Sequence, residues 1–362
     1  MTSPTTPAAS AVSAVSATSA TSATSATRIA FIGGGNMARS LIGGLLNAGW
    51  CGGNLSVAEP AAAAREELKQ RFGGRGVTCV DDNAAAVEAA APAAHADAVA
   101  EPAPGAKFAA VAPVAPAGIV VLAVKPQSLR AAVQSAAAQL QRHRPLLISI
   151  AAGVRCADIL RWAGAEFAIV RAMPNTPALV NAGISGLFAN RLVSGKQRAL
   201  AESVLRAVGE TLWVDDEALI DTVTGISGSG PAYLFKWMEL LAAGAQAHGL
   251  DRDAARRLVA QTALGAALLA KHNGLAPAEL RRQVTSSGGV TEAALQQMDA
   301  LGLDAAVLQG IDAAVRRSAQ MADEFAGELV GEPGRESGRQ FAGPSGRESA
   351  GASGRDKPGG RA

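Results

Sequence analysis

Aromatic residues are scarce in this 362-residue sequence, at 4%, and alanine supplies much of its 49% hydrophobic content. That is still enough apolar material for a sizeable core and for two domains of ordinary size. Cysteine is scarcer. Cys51, Cys79 and Cys156 are too few and too scattered for a disulfide framework or a zinc site, and they fit a reducing, cytoplasmic location. The four histidines, His95, His143, His248 and His272, show no metal-ligand spacing, so no metal is expected. An excess of charge is also missing. The formal net charge of +2 gives no electrostatic case for nucleic acid or an anionic membrane as a partner. No apolar run reaches the roughly 18 residues that span a bilayer.

Three segments lack the composition of a folded core. Residues 1–27 are mostly Ala, Ser, Thr and Pro in a stuttering Ser-Ala-Thr repeat. They have neither the basic start and Leu-rich stretch of a signal peptide nor the arginines of a transit peptide, and read as a disordered extension. Residues 84–117 form an Ala- and Pro-rich insertion. Pro92, Pro102, Pro104, Pro113 and Pro116 would break any long helix there, leaving room for a short one up to Ala91. Residues 327–362 turn to Gly, Ser, Arg and Pro with a repeated Gly-Arg-Glu-Ser, the pattern of a disordered, solubilising tail.

Between these segments, short apolar runs alternate with helical patterns. Residues 28–32 and 55–59 read as the first two strands. Residues 119–124, 146–150 and 168–172 are apolar runs of the kind buried on both faces of a parallel sheet. Residues 61–72 and 129–142 fit the connecting helices. This βαβ series predicts an α/β, Rossmann-like domain over residues 28–216. An all-α domain is expected over 217–326. Pro231 stands at the favoured first position of one helix, Asp251 is placed to cap the next, and Gly274 to end it. Two more helices follow Thr291 and Asp304. The helix over 251–272 is apolar around most of its circumference, with Leu258, Val259, Leu264, Leu268 and Leu269. Such a helix needs burial on several sides. A domain of about a hundred residues provides too little cover, so a homodimer interface, within a dimer or a larger homo-oligomer, is expected.

Directly after the first strand comes Gly33-Gly34-Gly35-Asn36-Met37-Ala38, a Gly-x-Gly-x-x-Ala fingerprint. Gly33 permits a tight turn, Gly35 lets the backbone approach a pyrophosphate, and Ala38 lets the following helix pack closely. The amide-rich start of that helix, at Asn36 and Met37, then faces the phosphates of a dinucleotide. The alternative is a plain glycine turn. The second strand ends in Glu59, 21 positions after Ala38 (59 − 38). A carboxylate there grips the ribose hydroxyls of NAD and repels the extra phosphate of NADP; otherwise Glu59 is an ordinary solvated side chain. Arg65 is placed to offset the repulsion, so the choice between NADPH and NADH stays open.

Further segments narrow the class: Ala123-Val124-Lys125-Pro126, Ser149-Ile150-Ala151-Ala152-Gly153 and Arg171-Ala172-Met173-Pro174-Asn175-Thr176-Pro177, each closing a strand. Thr224-Gly225-Ile226-Ser227-Gly228-Ser229-Gly230-Pro231-Ala232-Tyr233 enters the helical part, and Val284-Thr285-Ser286-Ser287-Gly288-Gly289-Val290-Thr291 forms a late loop. Over about residues 28–325, apart from the insertion, these motifs together resemble the pyrroline-5-carboxylate reductase family. The resemblance implies that Val124, Lys125, Pro126, Ala151 and Ala152 line the cofactor. Lys125 invites a catalytic-acid reading, although positioning suits it better. Asn175 stands near the nicotinamide or belongs to a rigid turn, and Gln283 matches a place where some members contact the cofactor. Glu217 matches a position that touches the proline ring, yet in Asp215-Asp216-Glu217 it reads equally as a solvated turn.

The late loop has physical sense of its own. Ser286, Gly288 and Gly289 precede a helix that Thr291 can cap, so free amides converge on one small volume suited to a substrate carboxylate. In the family, positions matching Ser286, Gly289 and Val290 hold that carboxylate, and the one matching Thr291 bonds the ring nitrogen. Ser287 and Val290 depart from the usual family pattern, which puts loop rigidity in doubt.

The implied reaction is hydride transfer from NADPH or NADH to C5 of 1-pyrroline-5-carboxylate, giving L-proline. Protonation makes the imine an iminium, a far better hydride acceptor, so the chain's main task is to hold donor and acceptor in line. Thr291 orients the nitrogen, and the proton comes from solvent or a prebound iminium. A β-hydroxyacid dehydrogenase would share the architecture, but its catalytic lysine should stand four residues after Gly230. That position holds Leu234, and Lys236 is out of register. Another imine reductase, or a non-catalytic nucleotide-binding protein, is a further alternative; the latter has no use for the anion-binding late loop.

Overall fold

The run Ile-Ala-Phe-Ile at Ile29–Ile32 is buried at every position, so it belongs inside a sheet covered on both faces. A computed structural model of the chain describes residues 27–91 and 118–327. In it this strand, β1, is followed by β2 (Leu55–Ala58), β3 (Thr78–Val80), β4 (Ile119–Leu122), β5 (Leu146–Ser149), β6 (Ile169–Met173), β7 (Gly183–Ala189) and β8 (Gly209–Trp213). They form one sheet in the order β3-β2-β1-β4-β5-β6-β7-β8. Neighbours pair in parallel throughout except β6 and β7, which run antiparallel. Strand order reverses between β1 and β4, which opens a crevice at their carboxyl ends.

The fingerprint helix α1 (Asn36–Asn47), α2 (Ala62–Phe72), α3 (Asn83–Ala89), α4 (Pro126–Ser135), α5 (Ala137–His143), α6 (Cys156–Ala163) and α7 (Gly195–Arg206) connect the strands. The single helix expected over 129–142 is in fact two, α4 and α5. They part at Ala136, whose N–H turns to the carbonyl of Val133, three residues back. The short helix expected up to Ala91 is α3. The other parts of the three low-complexity segments, residues 1–26, 92–117 and 328–362, lie outside the described residues.

Beyond β8 come α8 (Leu219–Val223), a wide turn at Thr224–Gly228, α9 (Gly230–Ala247), α10 (Arg252–Asn273), α11 (Pro277–Gln283), α12 (Val290–Ala300) and α13 (Leu303–Gly327). Asp251 caps α10 by accepting the N–H of Ala254 at 2.8 Å, and Gly274 ends it in the left-handed conformation, as the sequence predicts. The Thr-Gly-Ile-Ser-Gly motif is explained by packing. A Cβ at Gly225 would stand 2.7 Å from Val315 on α13, and one at Gly228 would stand 2.6 Å from Met173 on β6. The Tyr233 hydroxyl donates to the Gly225 carbonyl across the turn.

The helical segment carries little buried surface of its own. Val259 and Ala255 are buried, but Leu258, Leu264, Leu268 and Leu269 of α10 are exposed, as are Leu234, Phe235, Trp237 and Leu240 of α9. By contacts the chain divides into Met1–Ala326 and Gly327–Ala362; of the second unit, only Gly327 falls within the described residues.

Candidate active site

The first glycine of the fingerprint is demanded by the fold. Gly33 has φ +100°, and a Cβ there would stand 2.7 Å from Val124 and 2.8 Å from the Ala123 carbonyl. Its N–H donates to Ala58, which locks the turn across β2. Gly35 is different. Its φ of −68° suits any residue, and a Cβ there would meet, beyond its chain neighbours, no atom of the described residues within 4 Å. It is the N-cap of α1 and offers no side-chain cap to that helix's first amides, which therefore face the crevice beside exposed Gly35 and Asn36. This open cradle fits the phosphates of a dinucleotide.

Around the cradle stand further expected residues. Met37 is half-buried at the start of α1, and Glu59 follows β2 directly. The Glu59 carboxylate accepts the N–H of Gly34 at 3.1 Å and that of Ala61 at 3.0 Å. It is thus no free surface acid but a clasp between the glycine turn and α2. Arg65 turns its guanidinium to the carbonyls of Glu59 and Pro60. Val124 presses on Gly33, exposed Lys125 occupies the N-cap position of α4 without a side-chain cap, and Pro126 occupies that helix's first turn. Ala151 is buried and Ala152 half-buried just past β5. The carboxyl ends of β1, β2, β4 and β5 therefore bring these residues to one crevice.

Asn175 lies past β6 and is nearly fully buried. Its side chain accepts the N–H of Ile184 at 2.9 Å and donates to the carbonyl of Ser227 at 3.2 Å. It braces the Met-Pro-Asn-Thr-Pro segment, which continues as a tight turn of helix at Thr176–Val180.

Glu217 is not a solvated turn residue. Its Oε1 accepts the N–H of Cys156 at 2.8 Å and a longer bond from Arg171 Nη1 at 3.3 Å. Burial, then the adjacent Glu217 carboxylate, push the Cys156 thiol far above the ordinary thiol range. Arg171 is only 1% exposed, and its Nη2 lies 3.6 Å from Asp221. Asp221 in turn accepts the hydroxyl of Ser318 on α13 at 2.7 Å. Sequence reasoning quoted Arg171 within a motif but gave it no role, and it missed Asp221 and Ser318. The available signal was an arginine in a run otherwise apolar enough for a doubly covered strand, since a buried guanidinium needs carboxylates.

The late loop differs from expectation at two points. Gly289, not Thr291, is the N-cap of α12, and Thr291 sits inside its first turn. The helix starts one residue before Thr291, where an extended φ, ψ at Gly289 begins it, so the threonine hydroxyl is not needed as a cap. Nor are all the amides free. Gly288 N–H donates to the Glu292 carboxylate at 2.7 Å, and Gly289 N–H to the Ser286 carbonyl at 3.0 Å. Val290 is 89% exposed, and Gln283, Ser286 and Gly288 are exposed too. The hydrogen bonds of this loop stay within it and its two helices, and among the described residues none ties Gln283, Ser286, Gly289, Val290 or Thr291 to a crevice residue.

Among the described residues, no group of three or more His, Cys, Asp or Glu could hold a metal ion. No helix there is long and apolar enough to cross a membrane.

Comparison with known proteins adds to this geometry. Residues 217–321 match the family model described as pyrroline-5-carboxylate reductase dimerisation, and residues 28–153 match NADP oxidoreductase coenzyme F420-dependent. A pyrroline-5-carboxylate reductase of Pseudomonas aeruginosa is 44% identical over 290 residues, 80% of this chain and 95% of that protein. One from Pasteurella multocida is 39% identical over the same shares. Among solved structures, a pyrroline-5-carboxylate reductase from Coxiella burnetii superposes with a TM-score of 0.70 at 36% identity, covering 82% of this chain and 99% of that one. A Plasmodium falciparum pyrroline carboxylate reductase with NADP bound, 24% identical over 82% of this chain and 98% of its own, shares the fold at a TM-score of 0.65.

Proposed function

Because this chain belongs to the pyrroline-5-carboxylate reductase family, we propose that it reduces 1-pyrroline-5-carboxylate to L-proline, the last step of proline biosynthesis. It is an NAD(P)H-dependent oxidoreductase acting on a cyclic imine. The observation that carries this reading is the pairing, in one chain, of the open Gly35 cradle with a helical segment matched by the family's own dimerisation model. The β-hydroxyacid dehydrogenase alternative lacks its lysine, since exposed Leu234 stands at that position.

Residues 28–216 form the cofactor domain and 217–326 the dimerisation and substrate domain. Gly33, Gly35, Asn36 and Met37 hold the pyrophosphate, while Val124, Lys125, Pro126, Ala151 and Ala152 line the rest of the crevice. Asn175 keeps the nicotinamide end of the crevice in shape, and Gln283 is a further cofactor contact. When bound, the reduced nicotinamide supplies a hydride to C5 of the protonated imine. The Val290 amide and the Ser286 hydroxyl bind the substrate carboxylate beside Gly289, whose own N–H is held by the Ser286 carbonyl; Glu217 faces the ring, and Thr291 hydrogen-bonds its nitrogen. Lys125 positions the cofactor, and the iminium proton comes from solvent or arrives with a substrate already protonated when it binds.

The chain is a homo-oligomer with a small-molecule substrate. A homodimer is its minimum assembly, because the exposed leucines of α10 and the exposed apolar residues of α9 need cover that one chain does not supply. The near-neutral net charge of +2 supports a protein that binds no nucleic acid, and the sparse cysteines support a cytoplasmic setting. The deciding experiment follows the loss of reduced-nicotinamide absorbance with 1-pyrroline-5-carboxylate as the varied substrate. Proline formation is the expected result. Normal cofactor binding without any imine-dependent oxidation would refute the function.

A further inference from the structure

We propose that Glu59 makes this enzyme prefer NADH to NADPH, by fixing a carboxylate where the 2′-phosphate of NADPH would come to lie. The proposal rests on the dinucleotide role given above to the Gly35 cradle. Glu59 is tied by both oxygens, Oε2 to the Gly34 N–H at 3.1 Å and Oε1 to the Ala61 N–H at 3.0 Å. Swinging the side chain away to admit a phosphate would strand two backbone donors, one in the glycine turn itself. A carboxylate oxygen can accept more than one hydrogen bond, so each still has capacity for a ribose hydroxyl. A ribose 2′-hydroxyl can donate to such an acceptor. A phosphate placed there cannot, and its charge is repelled.

The neighbouring cations are committed elsewhere. Arg65 Nη1 is held by the carbonyls of Glu59 and Pro60 at 2.7 and 3.0 Å, and its Nη2 lies 3.8 Å from Asp81. Arg39 donates from Nε to the Gly34 carbonyl at 2.9 Å and from Nη1 to Glu67 at 2.8 Å. Each guanidinium already faces a carboxylate. Turning either toward a 2′-phosphate would break its present contacts while leaving Glu59 in place. Discrimination is therefore built by one fixed anion, with both nearby cations turned to other partners.

The test is a fluorescence titration of the full chain with NADH and with NADPH, which needs no turnover. NADH should bind tighter by on the order of tenfold. Raising the salt concentration should narrow that gap, because like-charge repulsion is screened. Glu59→Gln removes the charge and keeps one of the two oxygen acceptors, so it should tighten NADPH binding and shrink the ratio. Equal or tighter binding of NADPH by the unmodified protein would overturn the proposal. So would a gap that widens with salt, or an unchanged ratio in folded Glu59→Gln. If neither dinucleotide binds, the cofactor site itself fails, and this preference with it.

Discussion

Nη1 of Arg171 lies 3.3 Å from Oε1 of Glu217, joining β6 to the opening residue of the helical segment. Its Nη2 stands 3.6 Å from Asp221, within ion-pair reach but too far for a hydrogen bond, and its Nε has no hydrogen-bond partner among the described residues. The guanidinium thus faces two acids, balances one of their two charges, and is not fully bonded by them. Arg171→Met should cost about 3–5 kcal/mol, because it leaves the buried Asp221 carboxylate without its counter-charge. Asp221→Asn should cost less, since an amide oxygen still accepts the Ser318 hydroxyl. Urea denaturation of the three proteins measures this. A loss below about 1 kcal/mol for Arg171→Met would mean that the pair is incidental.

Gly33 and Gly35 separate folding from binding. Gly35→Val places its side chain in open space at an ordinary φ, so the fold should hold with a loss of about 1 kcal/mol at the helix N-cap. NAD(P)H binding should nearly vanish, because the valine fills the phosphate cradle. Gly33→Val should instead destabilise the protein, as its Cβ meets Val124 and the Ala123 carbonyl at a strained φ of +100°. Melting temperature and cofactor titration tell the two apart. Unchanged affinity in folded Gly35→Val would remove the dinucleotide assignment.

Legibility in the sequence followed burial. The strands at β1, β2, β4, β5 and β6 stood out because nearly every residue in them is apolar and buried. β3 is three residues on the sheet's edge, β8 alternates half-buried and exposed residues, and β7 carries Gly183, Ser185 and Gly186. None of the three shows the continuous apolar run that marks a doubly covered strand. The break at Ala136 has no proline or glycine beside it, so nothing local announced it. The residues gathered at the crevice were legible as a group because they cluster in short motifs at strand ends. The Arg171–Asp221–Ser318 group was not, since its members lie 50 and 97 positions apart (221 − 171, 318 − 221) and meet only through folding.

Cys156 predicts a pH dependence of stability. Burial, with Glu217 adding to it, raises the folded thiol's pKa, whereas the unfolded thiol ionises near about 8.5. Below that value both states keep the proton and the term is constant. As pH rises above it, the unfolded chain releases a proton that the folded chain retains. The unfolded state then binds fewer protons, so stability falls, by at most about 1.4 kcal/mol per pH unit. Cys156→Ala should lose this slope. Denaturation midpoints of both proteins between pH 7 and pH 10 give the difference, in which other titrating groups cancel. A difference that does not change with pH would contradict the assignment.

The assembly is testable at one residue. Leu269 is 54% exposed on α10 within one chain, so Leu269→Glu should leave the protomer folded. In the assembly it would bury a charge against apolar surface and should weaken association strongly. Sedimentation should show the unmodified protein as a dimer or larger at micromolar concentration, with the variant shifted toward monomer. An active monomer in the unmodified protein would end the homodimer reading.

Thr291 tests the substrate site most directly, and its place inside the first turn of α12 sharpens the test. Gly289 is the N-cap, and Glu292 holds the Gly288 amide, so Thr291→Ala removes no cap. Stability should change by no more than about 0.5 kcal/mol. Loss of a hydrogen bond to a reacting, positively charged imine should instead lower kcat/KM for 1-pyrroline-5-carboxylate by about 10- to 100-fold. Thr291→Ser retains a hydroxyl on the same Cβ and should restore most of that loss. Cofactor affinity should stay constant in both variants, because these changes do not touch the nucleotide site proposed at Gly33 and Gly35. Melting temperature, cofactor titration and steady-state kinetics on the pair separate the three effects. Full catalytic efficiency in Thr291→Ala would show that the threonine is only part of a helix, and that another group orients the substrate nitrogen.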